Sequence, residues 1–299
     1  MEGSVSGLEL GSVIVGIDGS LTAHRAALWA ADEAARRERP LHLLYAADTG
    51  GRALYVSTAD IERIHNVGRE LLRDTAAALA ERCPRLSVTT EFSRSAPVPS
   101  LHRSAGRRGT IVVGNRGLGG FSSLMLGSVG LKVAAGAKTP VVVVRGTDNG
   151  IQAGAVLVAV RDEKDLDCVR YAAREAELRK SPLRLLHVET VLRSVGNVGG
   201  TREDLRGNAG DDVRPLAAIV DRIREEYPNL TLQADTSPGV SVAGVLVETS
   251  HRAELLVMGG RRSPGSMGPT LGRATHSLLH HAQCPVLLIP RHAKGPQEK

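Results

Sequence analysis

Short apolar runs alternate with longer amphipathic segments along the chain. Val13–Ile17 is a β-branched apolar run of the kind found in strands that are buried on both faces. Between residues 22 and 38 the spacing becomes helical, with a stripe of alanines on one face. Leu41–Ala46 is a second apolar run, and the same alternation continues as far as Val141–Val144. Strands and helices in strict alternation predict a parallel sheet with right-handed crossover connections.

The same order of elements returns in the second half of the chain. Gly114 recurs as Gly259, and Gly127 recurs as Gly272, each 145 residues later. A period of this length indicates duplicated domains rather than a solenoid of short repeats. We place the two domains at residues 10–147 and 153–291, with a glycine-containing linker between them. The predicted fold class is α/β, with two tandem doubly wound domains, each a five-stranded parallel sheet with helices on both faces.

Composition narrows the classes of function. The 299 residues are 42% apolar and 23% charged, as in a folded protein of two domains. Aromatic residues make up only 2% of the chain, which argues against modules that stack nucleic-acid bases, and we read the net charge of +6 as a solvated surface. No apolar run approaches the ~20 residues of a membrane span, and no secretory signal is visible. The three cysteines are widely spaced, which predicts a cytoplasmic protein that has neither disulfides nor a metal site. Together these features also predict that neither a nucleic acid nor a membrane is a partner.

The loop after the fourth predicted strand carries the candidate chemistry. Two residues separate Gly114 from Gly117, nine separate Gly117 from Gly127, and Ser128 then opens a predicted helix. Ligands of doubly wound sheets bind beyond the carboxyl ends of the strands, at the point where strand order reverses. Glycines let backbone amides approach an anion, and a helix N-terminus adds its positive dipole end. Any one of these glycines, taken singly, is better explained as a plain turn residue.

Polar side chains of this loop fit the same chemistry. Arg116 is a candidate charge partner for an anion, and Asn115 a candidate polar lining residue. The hydroxyl of Ser128 either caps the helix or donates to a phosphate. The Walker signature and a GxGxxG after the first strand are both absent.

The complete spacing, between a strand and a helix, resembles the ATP-binding signature of the universal stress protein family. Three further segments are similar to that family: Val13–Asp18 (VIVGID), Leu41–Ala46 (LHLLYA) and Thr110–Gly117 (TIVVGNRG). The resemblance extends over both halves, from about residue 12 to 146 and from about 155 to 290. It implies an ATP site in the N-terminal half, with Mg²⁺ left open as a companion of the nucleotide.

The resemblance also implies a role for each matching residue. Gly16 and Asp18 would line the adenosine end, although Asp18 can also be read as an acid that favours a helix N-terminus. Ala46 would flank adenine. The implied cofactor-binding residues are Gly16, Asp18, Ala46, Gly114, Asn115, Arg116, Gly117, Leu118, Gly119, Gly120, Gly127, Ser128 and Val129. No residue is assigned to catalysis or to a metal.

The second half departs from this pattern. Arg161 stands in the position of Asp18, Arg262 replaces the second glycine and Arg273 replaces the serine. We therefore predict a degenerate motif that has lost ATP binding, in a half that serves mainly as a dimer-like partner of the first. The alternative is that Arg261, Arg262 and Arg273 bind a different anion, since arginine suits phosphates.

The predicted function is that of an ATP-binding regulatory protein in a stress or dormancy response. The alternative is a nucleotide-dependent enzyme of the same α/β class with slow ATP hydrolysis. A synthetase would need an SGGxDS-type loop or a HIGH motif, and Gly16–Arg25 (GIDGSLTAHR) contains neither. No residue near the glycine loop is an evident base for activating water, so we do not expect a dedicated enzyme. We expect the two domains to pair through their fifth strands, with a homodimer left open.

Overall fold

The computed structural model describes residues 11–50, 57–117, 126–145, 154–190, 216–259 and 271–290. These residues divide into two compact units, which meet in sequence between Val144 and Arg145. We call them the N-terminal unit and the C-terminal unit. Within the described ranges, no helix combines the length and the hydropathy that crossing a bilayer requires.

The N-terminal unit alternates strands and helices throughout. Its elements are β1 (Val13–Ile17), α1 (Leu21–Arg36), β2 (Leu41–Ala46), α2 (Thr58–Arg82), β3 (Val88–Ser93), α3 (Pro97–Ala105), β4 (Thr110–Gly114), α4 (Ser128–Gly136) and β5 (Val141–Val144). The strands pair in parallel in the order β3-β2-β1-β4-β5. Strand order therefore reverses between β1 and β4, and the loops after these two strands flank the expected position of a ligand.

The C-terminal unit repeats this plan. Its elements are β6 (Ala155–Val160), a 3₁₀ turn (Glu163–Asp165), α5 (Leu166–Arg179), β7 (Leu183–Thr190), α6 (216–226), β8 (Leu232–Gly239), α7 (Val242–Ser250), β9 (Ala253–Gly259), α8 (Arg273–His281) and β10 (Val286–Ile289). Its strands are parallel in the order β10-β9-β6-β7-β8. The predicted fold class, two tandem doubly wound α/β domains, is confirmed.

Small aliphatic side chains build the core of the N-terminal unit. The alanine stripe of α1 is fully buried, as the helical spacing predicted. Val13, Ile14 and Val15 of β1 are completely inaccessible to solvent. Because alanine adds so little bulk, α1 can pack closely on the sheet in a chain that has few large aromatic residues.

The outer strands differ most from the sequence prediction. The sequence suggested strands at 86–92 and 230–234, whereas β3 covers Val88–Ser93 and β8 covers Leu232–Gly239. β8 pairs with β7 in unbroken register from Leu232 to Gly239, so the neighbouring strand determines where it ends. Pro238 lies inside β8, and an outer strand tolerates a residue without an N–H because one of its edges needs no donor.

A buried ion pair recurs in the two units. In α1, Glu33 is only 1% exposed and its carboxylate lies 2.6 Å from Arg37 Nε. In α5, Glu175 and Arg179 occupy the corresponding turn, with carboxylate and guanidinium 3.2 Å apart and both side chains almost wholly buried. A buried charge requires a partner, so replacing either member of such a pair would leave the other charge buried and uncompensated. The duplication therefore extends to the electrostatics of the helix that packs beside the first strand of each unit.

A polar network joins α3 to β2 and β3. Glu91 Oε2 accepts a hydrogen bond from Ser104 Oγ at 2.6 Å and lies 3.0 Å from His42 Nε2, while Oε1 accepts from Arg103 at 3.1 Å. The hydrogen bond with His42 is the largest cause that lowers the pKa of Glu91 to about 2; burial acts in the opposite direction. The ionised carboxylate thus holds the outer part of the sheet to the helix that covers it.

We expect Glu91→Gln to destabilise the protein at pH 7 by about 1–3 kcal/mol, because the charged acceptor of three hydrogen bonds is lost. The folded-state pKa lies below the unfolded value of about 4.3, so this contribution is complete above that pH and is lost as the pH falls towards 2. Thermal unfolding from pH 7 to pH 2 should therefore show the difference between variant and wild type shrinking below about pH 4.5.

The matched control is Glu81→Gln, which neutralises an exposed carboxylate in the last turn of α2. It should change stability by less than about 0.5 kcal/mol at every pH. A constant difference between Glu91→Gln and wild type down to pH 2 would contradict the assignment.

Candidate functional site

The loops that follow β1 and β4 are bonded to each other. Ser20 caps α1 by accepting the N–H of Ala23 at 3.1 Å, which places the first turn of the helix directly after β1. The hydroxyl of Thr22, in that first turn, donates to the carbonyl oxygen of Arg116 in the loop after β4. The Ser20 hydroxyl lies 3.5 Å from the same carbonyl. The two loops at the reversal of strand order therefore form one connected structure.

Gly114 allows this close approach. A Cβ at position 114 would lie 2.7 Å from the carbonyl oxygen of Thr22, closer than real Cβ contacts come to a backbone atom. Any other residue would push the loop away from α1. The sequence predicted that Gly114 belongs to a ligand loop; the structure gives it a packing reason of its own.

Asp18 makes two different contacts. Its Oδ1 accepts the backbone N–H of Ser20 at 2.9 Å, which orders the entry into α1. Its Oδ2 faces Gly117, since a Cβ at that position would lie 2.5 Å from this oxygen. The local structural role that the sequence left open for Asp18 is therefore present, and the second oxygen remains directed at the glycine loop.

The N-terminus of α4 adjoins the same loop. Gly127 is the N-cap residue, and its N–H donates to the carbonyl of Asn115 at 2.9 Å. No side chain caps this helix, so the prediction that Ser128 could act as the cap is wrong; Ser128 is already the first helical residue. Its exposed hydroxyl has no hydrogen-bond partner among the residues described. The first amides of α4 have no acceptor within the helix.

Gly127 differs from Gly114 in having no structural need to be glycine. Its φ of −61° and ψ of 150° are open to any residue. A Cβ at this position would meet Arg116 Cα and Gly117 N at 3.5 Å, an ordinary contact distance. Neither backbone conformation nor packing within the described chain therefore explains the glycine.

Arg116 is held in this loop by its backbone. Its carbonyl accepts from Thr22, whereas its guanidinium has no acidic partner within the described part of the chain. Of the remaining predicted residues in this loop, Leu118, Gly119 and Gly120 lie outside the described residues.

The predicted adenosine end lies where β1 and β2 finish. Ile17 is level with Tyr45 in the β1–β2 register, so Asp18 and Ala46 follow at the ends of adjacent strands. A Cβ on Gly16 would be 3.6 Å from the Leu101 side chain, so this position is not tightly enclosed. Gly16, Asp18 and Ala46 therefore lie along the carboxyl edge of the sheet, and their role at an adenosine end stays a prediction.

An aromatic cluster beside this edge was missed in the sequence. The rings of Tyr45 and Phe92 stack with centroids 5.9 Å apart, and Gly68 of α2 lies against both rings. Burial, and secondly the charge of Asp18, raise the pKa of the Tyr45 hydroxyl. His65 packs edge-on against Phe92 and shares a 2.9 Å hydrogen bond with Thr49. The available signal was that two of the chain's few aromatic residues lie one residue before the ends of neighbouring strands.

The corresponding edge of the C-terminal unit has different chemistry. Arg161, in the position of Asp18, donates its backbone N–H to Asp165 at 2.9 Å, and its Nε lies 3.1 Å from Asp162. Arg273 is the first residue of α8, and its N-cap, Gly272, again provides no side-chain cap. Arg261 and Arg262 lie outside the described residues. Across the described ranges, no three His, Cys, Asp or Glu side chains are grouped as a metal site would need.

Two tandem doubly wound units, in each of which strand order reverses between the first and the fourth strand, define a duplicated α/β protein. The model of the universal stress protein family matches residues 10–145 and 154–290. This chain therefore belongs to the universal stress protein family.

Similar proteins extend over nearly the whole chain. Universal stress protein Rv2624c of Mycobacterium tuberculosis is 29% identical over 283 residues, covering 94% of this chain and 96% of the relative. Universal stress protein Rv2028c of the same organism is 30% identical over 285 residues, covering 93% and 95%. The crystal structure of a universal stress protein from Archaeoglobus fulgidus matches with a TM-score of 0.70 at 18% identity, covering 96% and 97%, which supports the fold.

The two glycines of the loop should respond differently to substitution. Gly114→Ala should lower the free energy of unfolding by about 1–3 kcal/mol, because the new methyl group collides with the Thr22 carbonyl. Gly127→Ala should lower it by less, at most about 1 kcal/mol, because its methyl group meets only ordinary contacts and only the preference for glycine over alanine at an N-cap is lost. Urea unfolding of both variants measures the difference. Equal losses of stability would show that the loop after β4 does not approach α1 as described.

Proposed function

We propose that the N-terminal unit binds ATP and that this protein acts as a nucleotide-dependent regulator in a stress or dormancy response. One observation carries the proposal: Gly127, at the uncapped N-terminus of α4, is a glycine that neither its backbone angles nor its described neighbours require. A ligand that approaches the backbone closely would account for it. A helix N-terminus favours an anion through its free amides and its dipole.

The phosphates would lie at the start of α4. The free amides of its first turn, the Ser128 hydroxyl and the Arg116 guanidinium all supply donors there. Arg116 suits this role because no acidic side chain in the described ranges neutralises it, while its backbone is tied to Thr22. Charge-assisted hydrogen bonds of this kind are stronger than neutral ones.

The adenosine part would extend towards the ends of β1 and β2. Asp18 Oδ2 can accept a hydrogen bond from a ribose hydroxyl or an exocyclic amine, and its charge disfavours phosphate at that position. Ala46 presents only a small side chain at the end of the adjacent strand. The carboxylate and the helix N-terminus would thus orient the nucleotide along the edge of the sheet.

Magnesium would be held chiefly by the phosphates and by water. One oxygen of Asp18 already accepts a backbone N–H, and no metal-binding group of three side chains is found in the described ranges. Mg²⁺ commonly keeps several waters and binds through few protein ligands. Asp18 is assigned to the adenosine end in this arrangement, away from the water that would attack a phosphate. We therefore propose a binding and regulatory role, with at most slow hydrolysis of ATP.

A regulatory effect of ATP requires unequal affinity for two conformations of the protein. The bond between Thr22 and Arg116 supplies a route, since a ligand that shifts the loop after β4 also acts on the first turn of α1. Cytoplasmic localisation stays a prediction.

Gly127→Ala should weaken ATP binding about tenfold or more with a loss of stability of at most about 1 kcal/mol, because its methyl group fills the space needed by a phosphate. Isothermal titration of ATP into the full chain measures the affinity, and thermal unfolding checks the fold. The matched control is Gly244→Ala in α7, where the added methyl group meets only Ser241, at 3.7 Å. ATP affinity equal to that of the wild type in Gly127→Ala would contradict the proposed phosphate position.

Asp18→Ala and Gly117→Ala should each weaken ATP binding by about tenfold, and the double variant should be no weaker than Asp18→Ala alone. The reason is that the methyl group at position 117 would displace Asp18 Oδ2, so both changes remove the same interaction. A double-mutant cycle measured by titration tests this coupling. Asp74→Ala, which removes an exposed carboxylate on α2, is the control and should leave the affinity unchanged.

Strictly additive losses would show that Gly117 contacts the nucleotide independently of Asp18. Unchanged affinity in both single variants would overturn the assignment of the adenosine end.

A further inference from the structure

The connections that lead into the strands of the N-terminal unit meet at the amino edge of its sheet, the end opposite to the proposed ATP site. They are residues 11–12 before β1, 37–40 before β2, 83–87 before β3, 106–109 before β4 and 137–140 before β5. Backbone hydrogen bonds of 2.9–3.0 Å join neighbouring connections and strands, and their donor and acceptor pairs are Leu41–Ser87, Val13–Pro40, Thr110–Ser12 and Ile111–Pro140. Adjacent strands lie ~4.8 Å apart, so the five connections form a row about 19 Å long.

Five exposed basic residues lie in these connections, and we call them the basic row. Arg85 precedes β3, Arg39 precedes β2, Arg107 and Arg108 precede β4, and Lys138 precedes β5. Because the connections follow the order of the strands, the five positive charges are spread along the edge in single file.

Arg39 also covers the connection before β1, whose described residues carry no charged side chain. Its Nη1 donates to the carbonyl of Gly11 at 3.1 Å. A Cβ at Gly11 would lie 2.8 Å from the central carbon of the guanidinium, so the group rests directly against the chain there. A positive charge therefore lies beside the entry to every strand of the unit.

Within the described ranges, no acidic side chain forms an ion pair with any member of the basic row. The connections themselves contain a single acid, Glu38. Close by in the helices, Glu33 is paired with Arg37 at 2.6 Å, and Asp32 is paired with Arg82 at 3.0 Å. The positive charge of the row is therefore not balanced by the described residues around it, and it favours an anionic partner.

The C-terminal unit builds the equivalent connections with the same backbone bonds. Ser181 N–H donates to the carbonyl of Ala176 at 2.9 Å, as Arg39 N–H does to the carbonyl of Ala34. Two further bonds recur in the same way: Leu86–Cys83 as Leu230–Tyr227, and Ile111–Pro140 as Leu256–Pro285. The residues of the two amino edges can therefore be compared position by position.

Most of the basic row is absent from the C-terminal unit. Four of its five members have uncharged counterparts, which are Ser181 for Arg39, Asn229 for Arg85, Ala253 for Arg108 and Gln283 for Lys138. Arg107 keeps a basic counterpart in Arg252, and Lys180 stands in the position of Glu38. The same connections thus form without most of these charges, so the fold does not require them. This difference favours a binding role for the row in the N-terminal unit.

The composition of the row favours phosphate as the ligand. Four of its members are arginines, whose planar guanidinium groups donate to phosphate oxygens in pairs. The connections contain no aromatic residue, whereas single-stranded nucleic acids are usually bound by stacking their bases on aromatic side chains. The exposed large apolar side chains of the described chain lie elsewhere, so none is placed here to enter a membrane. A single file of cations matches a single chain of phosphates.

We propose that the basic row binds inorganic polyphosphate, with the chain of phosphates laid across the amino edge from β3 to β5. Arg85 and Lys138 contact the two ends of the bound segment, and the other three arginines contact the phosphates between them. Such binding releases counterions, so its affinity falls steeply as salt is raised. The row lies at the opposite end of the strands from the proposed ATP site, so this inference does not depend on ATP binding.

The test is titration of the full-length chain with inorganic polyphosphate at several salt concentrations. The triple variant Arg85→Asn, Arg108→Ala and Lys138→Gln gives these positions the residues of the C-terminal unit. It should bind about tenfold more weakly or worse, and the slope of log affinity against log salt should fall by about 2, because each lost contact with a single-stranded polyanion removes about 0.7. Thermal unfolding should match that of the wild type, since none of the three side chains has a hydrogen bond or ion pair within the described chain.

The matched control is the triple variant Arg174→Gln, Arg224→Gln and Arg252→Gln, which removes the same charge from exposed positions of the C-terminal unit. It should bind polyphosphate within about twofold of the wild type, because salt screens exposed charges beyond a Debye length of ~8 Å. Tripolyphosphate, which reaches only part of the row, should bind about tenfold more weakly than the polymer or worse.

Equal losses of affinity in the two triple variants would show that net charge alone attracts the polymer, and would overturn the proposal. Failure of polyphosphate to bind the wild type would also overturn it. Tighter binding of single-stranded or duplex DNA than of polyphosphate would identify a nucleic acid as the ligand and would contradict the assignment to a simple chain of phosphates.

Discussion

The contact between the loop after β4 and the first turn of α1 is the constraint on which the N-terminal site depends. Without a side chain at Gly114, the loop comes close enough for the Thr22 hydroxyl to reach the carbonyl of Arg116. That bond places Gly117 against Asp18, and the Asn115 carbonyl then accepts the N–H of Gly127 at the start of α4. One close backbone approach thus brings an acidic group and an open helix N-terminus to the same edge of the sheet.

The two units keep a common frame and differ in the chemistry at its edge. Both have a buried Glu–Arg pair in the helix after the first strand, and in both a glycine N-cap opens the helix after the fourth strand. The ion pairs belong to the fold and are independent of any ligand. The side chains at the strand ends differ between the units. Asp18 against Arg161 and Tyr45 against His187 show this divergence.

The sequence predicted the inner strands better than the outer ones, for a physical reason. β1 and β2 match their apolar runs residue for residue, because a strand buried on both faces is apolar along its whole length. β3 and β8 are half-exposed, and their limits follow from pairing with a neighbour. At the candidate site, glycine spacing pointed to the loop that the structure bonds to the first turn of α1. It could not reveal the bond between Thr22 and Arg116, because this bond depends on elements that meet only in the folded chain.

Glycine carries different information at each position of the loop, and only the structure separates the cases. Gly114 is required by a backbone atom of α1. Replacing it would therefore lower the stability of the fold even in a unit that bound no ligand. At Gly117, a side chain would collide only with the carboxylate of Asp18. Glycine therefore matters at this position because it leaves room for Asp18. Gly127 is required by neither. A glycine that no contact in the described part of the chain requires is the observation on which the proposed ligand contact rests. This difference, rather than the number of glycines, is the physical argument that the loop serves a ligand.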